Sequence, residues 1–231
     1  MRVAIMQPTY LSWIGYFGMI DRVDLFILLD TVQFAKRSWQ QRNKIKTAHG
    51  PMWLTVPVLS KGKSRQIINE VEIDSSRNHA AAHIASLENN YRKAPHFQEY
   101  SHELFPLLDK GFHYLSEMNA ELIERICEIL GITTSIQYAS RMNNSGNKAD
   151  LLAMLCAQVG ATEYVSALGS REYLEKSDAF QNEGIDIKYH DYEHPVYSQL
   201  FGDFEPYMSI VDLLFNLGPE SLSTIRKGFV K

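Results

Sequence analysis

At 231 residues the chain has room for one large α/β domain or two small ones, with a substantial core. A net charge of −4, with 45% hydrophobic and 22% charged residues, gives no broad basic field of the kind that binds nucleic acid or anionic membranes. Cys127 and Cys156 fall inside apolar helical patterns and read as reduced core residues. With no leader and no apolar run of about 18 residues, this predicts a cytoplasmic protein without a membrane span.

Residues 2–6 and 24–30 are short apolar runs that predict buried strands, and 17–23 between them predicts a short helix, so the chain opens as a βαβ unit. The stretch Trp39–Ile45, the turn signal His49-Gly50-Pro51 and Trp53–Val58 predict a hairpin. A basic loop, Lys61–Arg65, follows, and then a strand over 67–73. Helical periodicity takes over across 77–91, 95–109 and 112–130, the last helix closing on Gly131. Strand and helix then alternate: strand 133–139, helix 148–159 stopped by Gly160, strand 163–166 with a glycine turn, strand 185–189, and helix 207–217. The pattern predicts a single doubly wound α/β domain over 1–231, with a mostly parallel sheet and a helical insertion at about 77–130.

In such a sheet ligands collect beyond the carboxyl ends of the strands. Three polar segments fall there: Gln7-Pro8-Thr9, Asp30-Thr31-Val32-Gln33, and Ser166 through Gly169, Ser170 and Arg171. The last combines hydroxyls, a glycine and a helix start, which together suit an anion, with Arg171 as a bidentate partner. Its alternative is a capped helix with a solvated arginine. Arg42, Asn43 and Lys44, with Gln40 and Gln41, mix cations and amides in a way that suits sugar or phosphate, or else form a solvated strand face. No Walker spacing, nucleophile elbow or His-Glu-x-x-His is present, so neither covalent catalysis nor a metal site is indicated. His79 and His83 read as structural. His194, in the bend that leads to Tyr197, is a candidate hydrogen-bonding group.

Several motifs occur together and in order: Gln7-Pro8-Thr9-Tyr10, Trp13-Ile14-Gly15-Tyr16-Phe17, Asp30-Thr31-Val32-Gln33-Phe34 and Arg42-Asn43-Lys44-Ile45. Farther on come Trp53-Leu54-Thr55-Val56-Pro57, Tyr164-Val165-Ser166 with Gly169, His194-Pro195-Val196-Tyr197, and Ser209-Ile210-Val211-Asp212. With these motifs the chain resembles the WbqC-like protein family along nearly its whole length, departing at Ser12, where proline is the expected residue. Members occur among bacterial genes for O-antigen and other surface polysaccharides. The resemblance therefore implies a transferase that attaches glycine or another acyl group to an amino sugar of lipopolysaccharide. A weaker likeness joins the opening to pantothenate synthetase and related nucleotidyl-transferring (HUP-like) enzymes, which place His-x-Gly-His where this chain has Trp13-Ile14-Gly15-Tyr16.

The second likeness implies ATP as the candidate cofactor, with Gln7, Thr9 and Gly15 lining a nucleotide floor. Trp13 and Tyr16 would stack on a ring or staple the helix to the sheet. Arg42, Lys44, Arg171 and the Lys61–Arg65 loop would meet phosphate, and Asp30 or His194 would take the amine proton. On this reading the partner is a nucleotide-linked amino sugar, and Gly15, Arg42 and Arg171 should face one cleft. The rival is a non-catalytic carrier or scaffold that binds the same ligand.

Overall fold

The computed structural model describes residues 1–63, 65–146 and 148–229, so Ser64 of the basic loop and the last two positions of the expected domain lie outside the described residues. In chain order the strands are β1 (Arg2–Met6), β2 (Leu25–Leu28), β3 (Arg42–Thr47), β4 (Gly50–Thr55), β5 (Ser135–Tyr138), β6 (Glu163–Ala167) and β7 (Asp186–His190). Five form one parallel sheet in the order β5-β2-β1-β6-β7, and β3 and β4 form a separate antiparallel hairpin. The helices are α1 (Ile14–Asp21), α2 (His79–Tyr91), α3 (Phe97–Leu108), α4 (Leu115–Leu130), α5 (Lys148–Gln158), α6 (Arg171–Leu174), α7 (Ala179–Asn182), α8 (Ile210–Leu217) and α9 (Ser221–Lys227). This is the expected Rossmann-like α/β architecture, a parallel sheet flanked by helices.

Alternation along the strands explains the two layers. Val3, Ile5, Leu25 and Ile27 enter one core with α5, α6 and α7, whereas Ala4, Phe26 and Leu28 enter the other with α1, α4 and α8. Both faces are covered, so the strands read as continuous apolar runs. In β1, Val3 pairs with Leu25 on one side and with Tyr164 on the other, which puts the first strand at the centre. The inserted helices α2–α4 lie where the periodicity places them. Leu115, Met118, Leu122 and Ile126 of α4 are buried, and Gly131 ends the helix with φ 73°, a left-handed conformation that costs glycine nothing. Cys127 and Cys156 are buried free thiols, each pushed up to about 12 chiefly by desolvation.

Three expectations are corrected. Residues 67–73 are not a strand but a 3-10 turn (Ile68–Glu70) with isolated pairings to Gln33 and Val58. Its apolar residues are buried, but the backbone bonds scatter: Ile68 N–H donates to Val32, Asn69 N–H to Asp30, and Ile73 N–H to His113, so no ladder forms. The first helix begins at Ile14 rather than 17, so Gly15 and Tyr16 belong to its opening turn and Trp13 is its N-cap. The hairpin strands sit a few residues away from the expected ones, because Gln40 and Gln41 belong to the preceding turn, and α9 was not foreseen.

Candidate functional site: a cleft at the strand-order reversal

Chain direction across the sheet reverses between β1 and β6, the place where an open α/β sheet leaves a crevice. A cleft of about 320 Å3 opens there, walled by Gln7 and Thr9 beyond β1, Ser166 near the end of β6 and Ser170 beyond it, and Trp39, Gln40 and Tyr173. A second compartment of about 270 Å3 adjoins it, lined by Trp13, Tyr16, Asn43 and Tyr207, and the two share Met6, Thr9 and Trp39. One compartment is mixed polar and apolar, the other largely aromatic. Trp39 and Tyr207 are 47% and 52% exposed, a costly place for rings unless something covers them. A larger surface depression of about 450 Å3 lies between α3 and α4, lined by Glu103, Lys110, Glu121 and Arg125, and shares no lining residue with the cleft.

The opening segment is held stiffly. Gln40 Nε2 donates to Gln7 Oε1 at 2.7 Å, and Tyr16 Oη donates to the Gln7 carbonyl at 3.1 Å. Thr9 and Ser12 hydroxyls meet at 2.5 Å. Asn43 Nδ2 donates to the carbonyls of Tyr10 and Leu11, at 3.3 and 2.7 Å, and clamps a turn in which Leu11 has φ 42°. Gln40, Gln41 and Asn43 are thus engaged by the protein itself: Gln41 accepts from Arg37 N–H and donates to the Val56 carbonyl. Burial raises the Tyr16 phenol well above its ordinary range, so it stays protonated.

Gly15 has a different neighbour from the one the nucleotide likeness implies. A Cβ built there would lie within 3.0 Å of three indole carbons of Trp13, so the space over the glycine is taken by that ring. Trp13 in turn packs against Tyr192, His194 and Tyr207, at centroid distances of 5.6, 6.1 and 5.5 Å. His194 therefore stands behind Trp13 and Tyr207. Its Nδ1 pairs with the Pro195 carbonyl at 2.9 Å, its Nε2 is buried without a partner, and burial lowers its pKa.

The expected cations do not share a wall. The Arg42 guanidinium lies 4.2 Å from the Trp53 ring centroid and Lys44 Nζ 5.7 Å from it. Trp53 leans on Trp39 at 5.3 Å, and neither cation is among the residues lining the cleft. Arg171 instead stacks on Tyr189 of β7 at 4.4 Å and pairs with Glu175 at 3.4 Å, on a helix of four residues. In the basic loop Lys63 is held by Glu72 at 2.7 Å. Gly169 is open on its Cβ side, and Gln33 is exposed and paired with Ile67. Asp30 borders a separate cavity, accepting hydrogen bonds from Ser140. Tyr197 belongs to a buried network in which Tyr91, Tyr197 and Gln199 donate to Asp212 at 2.7–2.8 Å. Burial raises Asp212, and those donors oppose the rise.

The structure thus gathers Gln7, Thr9, Trp13, Tyr16, Asn43, Ser166 and Ser170 around one cleft and disperses the rest. Sequence reasoning missed Trp39, Tyr173 and Tyr207. The one available signal was a tryptophan set among polar neighbours, Ser38-Trp39-Gln40-Gln41.

Fold and cleft together define a Rossmann-like α/β protein with an aromatic-walled crevice at the reversal of strand order. The chain belongs to the WbqC-like protein family, whose profile matches residues 7–224. It is 42% identical over 227 residues to "Uncharacterized protein Rv1507c" of Mycobacterium tuberculosis (strain ATCC 25618 / H37Rv), with 97% of each chain covered. No solved structure matches the chain.

Proposed function

We propose that this protein is a transferase that attaches a small acyl or aminoacyl group, glycine among the candidates, to the amino group of a nucleotide-linked sugar in O-antigen or other surface-polysaccharide synthesis. The observation that carries the reading is the pair of adjoining compartments at the strand-order reversal, one aromatic and one bearing hydroxyls and amides, with Trp39 between them. Flat rings pack on such walls, while hydroxyl-rich sugars need donors and acceptors such as Thr9, Ser166 and Ser170. In this arrangement Trp39 and Tyr207 cover the ring system, and Arg42 and Lys44, stacked beyond Trp39, face phosphate at the mouth.

Amide formation from a free carboxylate is uphill in water, so the acid must arrive activated or be activated in the site. With ATP, a carboxylate oxygen attacks the α-phosphorus and pyrophosphate leaves. The sugar amine then attacks the acyl carbon, AMP leaves, and the amine loses a proton.

The carrier reading retains one specific observation in its favour: neither Asp30 nor His194 is among the residues lining the cleft, so neither expected proton acceptor stands beside the proposed acceptor sugar. Incubation with ATP, an amino-acid panel and amino-sugar nucleotides decides between the two. A new amide by mass spectrometry, with AMP or pyrophosphate, supports transfer; tight sugar-nucleotide binding without product across the panel sinks it. Trp39→Ala is expected to weaken that binding by about 1–2 kcal/mol, roughly five- to thirtyfold in Kd.

A further inference from the structure

A cavity of about 330 Å3 lies beyond the ends of β2 and β5, against the N-terminus of α4, and shares no lining residue with the two compartments of the cleft. We propose that it binds a small zwitterion carrying an ammonium and a carboxylate, that is, a free α-amino acid. The cavity's own residues carry this assignment, independently of the transfer reaction.

Asp30, only 5% exposed, lines this cavity and accepts from the backbone N–H and the hydroxyl of Ser140, at 2.9 and 2.6 Å. Those bonds occupy one lone pair on each oxygen and leave the others free. Among the described residues no Lys, Arg or His stands within ion-pair distance of it. A buried carboxylate without a cation is an unfavourable arrangement that a cationic ligand relieves. The two oxygens of this one carboxylate, each with a lone pair left, suit a group with several donors on one atom, and a primary ammonium has three.

Other residues of the lining suit an anion. Arg141 lies over Tyr138, 4.2 Å from the ring centroid, and has no carboxylate partner among the described residues. The first turn of the sixteen-residue α4 also opens on the cavity through Ser116 and Glu117, and no side chain caps that helix start. Uncapped N–H groups and a guanidinium together accept a carboxylate. Glu117 at the same rim counts against a multiply charged phosphate. Asp30, expected from sequence to take a proton, is on this view a recognition group for the ammonium.

Calorimetric titration of the full chain with glycine, alanine and serine, alongside methylamine and acetate, tests the assignment. At least one amino acid should bind, with methylamine and acetate each about tenfold weaker or worse. Arg141→Gln, an exposed change that spares the core, should reduce amino-acid binding to the methylamine level. Trp39→Ala should leave it unchanged. No binding by any of the three amino acids at millimolar concentration overturns the proposal, as does methylamine binding equally well. Loss of binding in Trp39→Ala but not in Arg141→Gln would place the amino acid in the other cleft and equally overturn it. Failure to bind sugar nucleotides would bear only on the transfer reading.

Discussion

The contact between Trp13 and Gly15 determines how the opening motif works. The indole folds back over its own helix start and occupies the volume that a side chain at 15 would need. Alanine at 15 would gain up to about 1 kcal/mol of helix propensity, but it would drive a methyl group into a ring already packed by Tyr192, His194 and Tyr207. Overpacking of this kind costs about 1–3 kcal/mol, so the clash wins. Gly15→Ala should lower the thermal midpoint and change tryptophan emission as Trp13 swings into the compartment it lines. An unchanged midpoint together with unchanged emission would show that the space over the glycine is free, as a nucleotide floor requires.

Among the elements, the hairpin β3–β4 contributes most to shaping the cleft, because Asn43 reaches out of it to hold the turn that follows β1. Asn43→Ala leaves the carbonyls of Tyr10 and Leu11 without their donor, a loss of about 1–3 kcal/mol each way of accounting for a buried hydrogen bond. The expected result is a lower midpoint in denaturant with an unchanged slope, and weaker ligand binding in the cleft; equal stability would mean the clamp is idle. Much of this was readable beforehand. The apolar runs at 2–6 and 24–30, the α4 stripe and its closing Gly131 place the sheet and the insertion. Thr9 and Ser166 follow from being at strand ends. Trp39 and Tyr207 do not follow, because they reach the cleft from distant turns through tertiary packing that leaves no local period. Residues 67–73 misled for a related reason: their burial pattern resembles a strand, while their hydrogen bonds go to separate loops.

Across the whole molecule, four histidines share one electrostatic condition. Burial lowers His79, His83, His190 and His194, with His83 and His190 brought down to about 4. The unfolded chain protonates these groups near pH 6.5, so below that pH it binds more protons than the folded chain, down to about pH 4 for His83 and His190. Their contribution is therefore present above that range and lost as pH falls through it, at up to about 1.4 kcal/mol per pH unit for His83 and for His190, and less where solvent screens the ring. Asp212, raised by burial, works in the opposite sense and favours the fold most at low pH. Chemical denaturation at pH 7.5 and pH 5 should show a clear loss at the lower value. The double variant His83→Gln with His190→Gln should flatten it, and an undiminished slope would assign the loss to other groups. Among the described residues no helix is long and apolar enough to cross a membrane.

The central position of β1 sets a problem of timing during synthesis. Arg2 pairs with Glu163, so the strand leaves the ribosome long before β6 can close its second edge. At roughly 5–20 residues per second that interval is on the order of ten seconds. Until then Val3, Ala4 and Ile5 belong to a half-built sheet with an open, apolar edge, the kind of surface that pairs with other chains. Nascent copies of this protein should therefore lean on a holding chaperone until the last third of the chain arrives, and fragments ending before β6 should aggregate rather than fold.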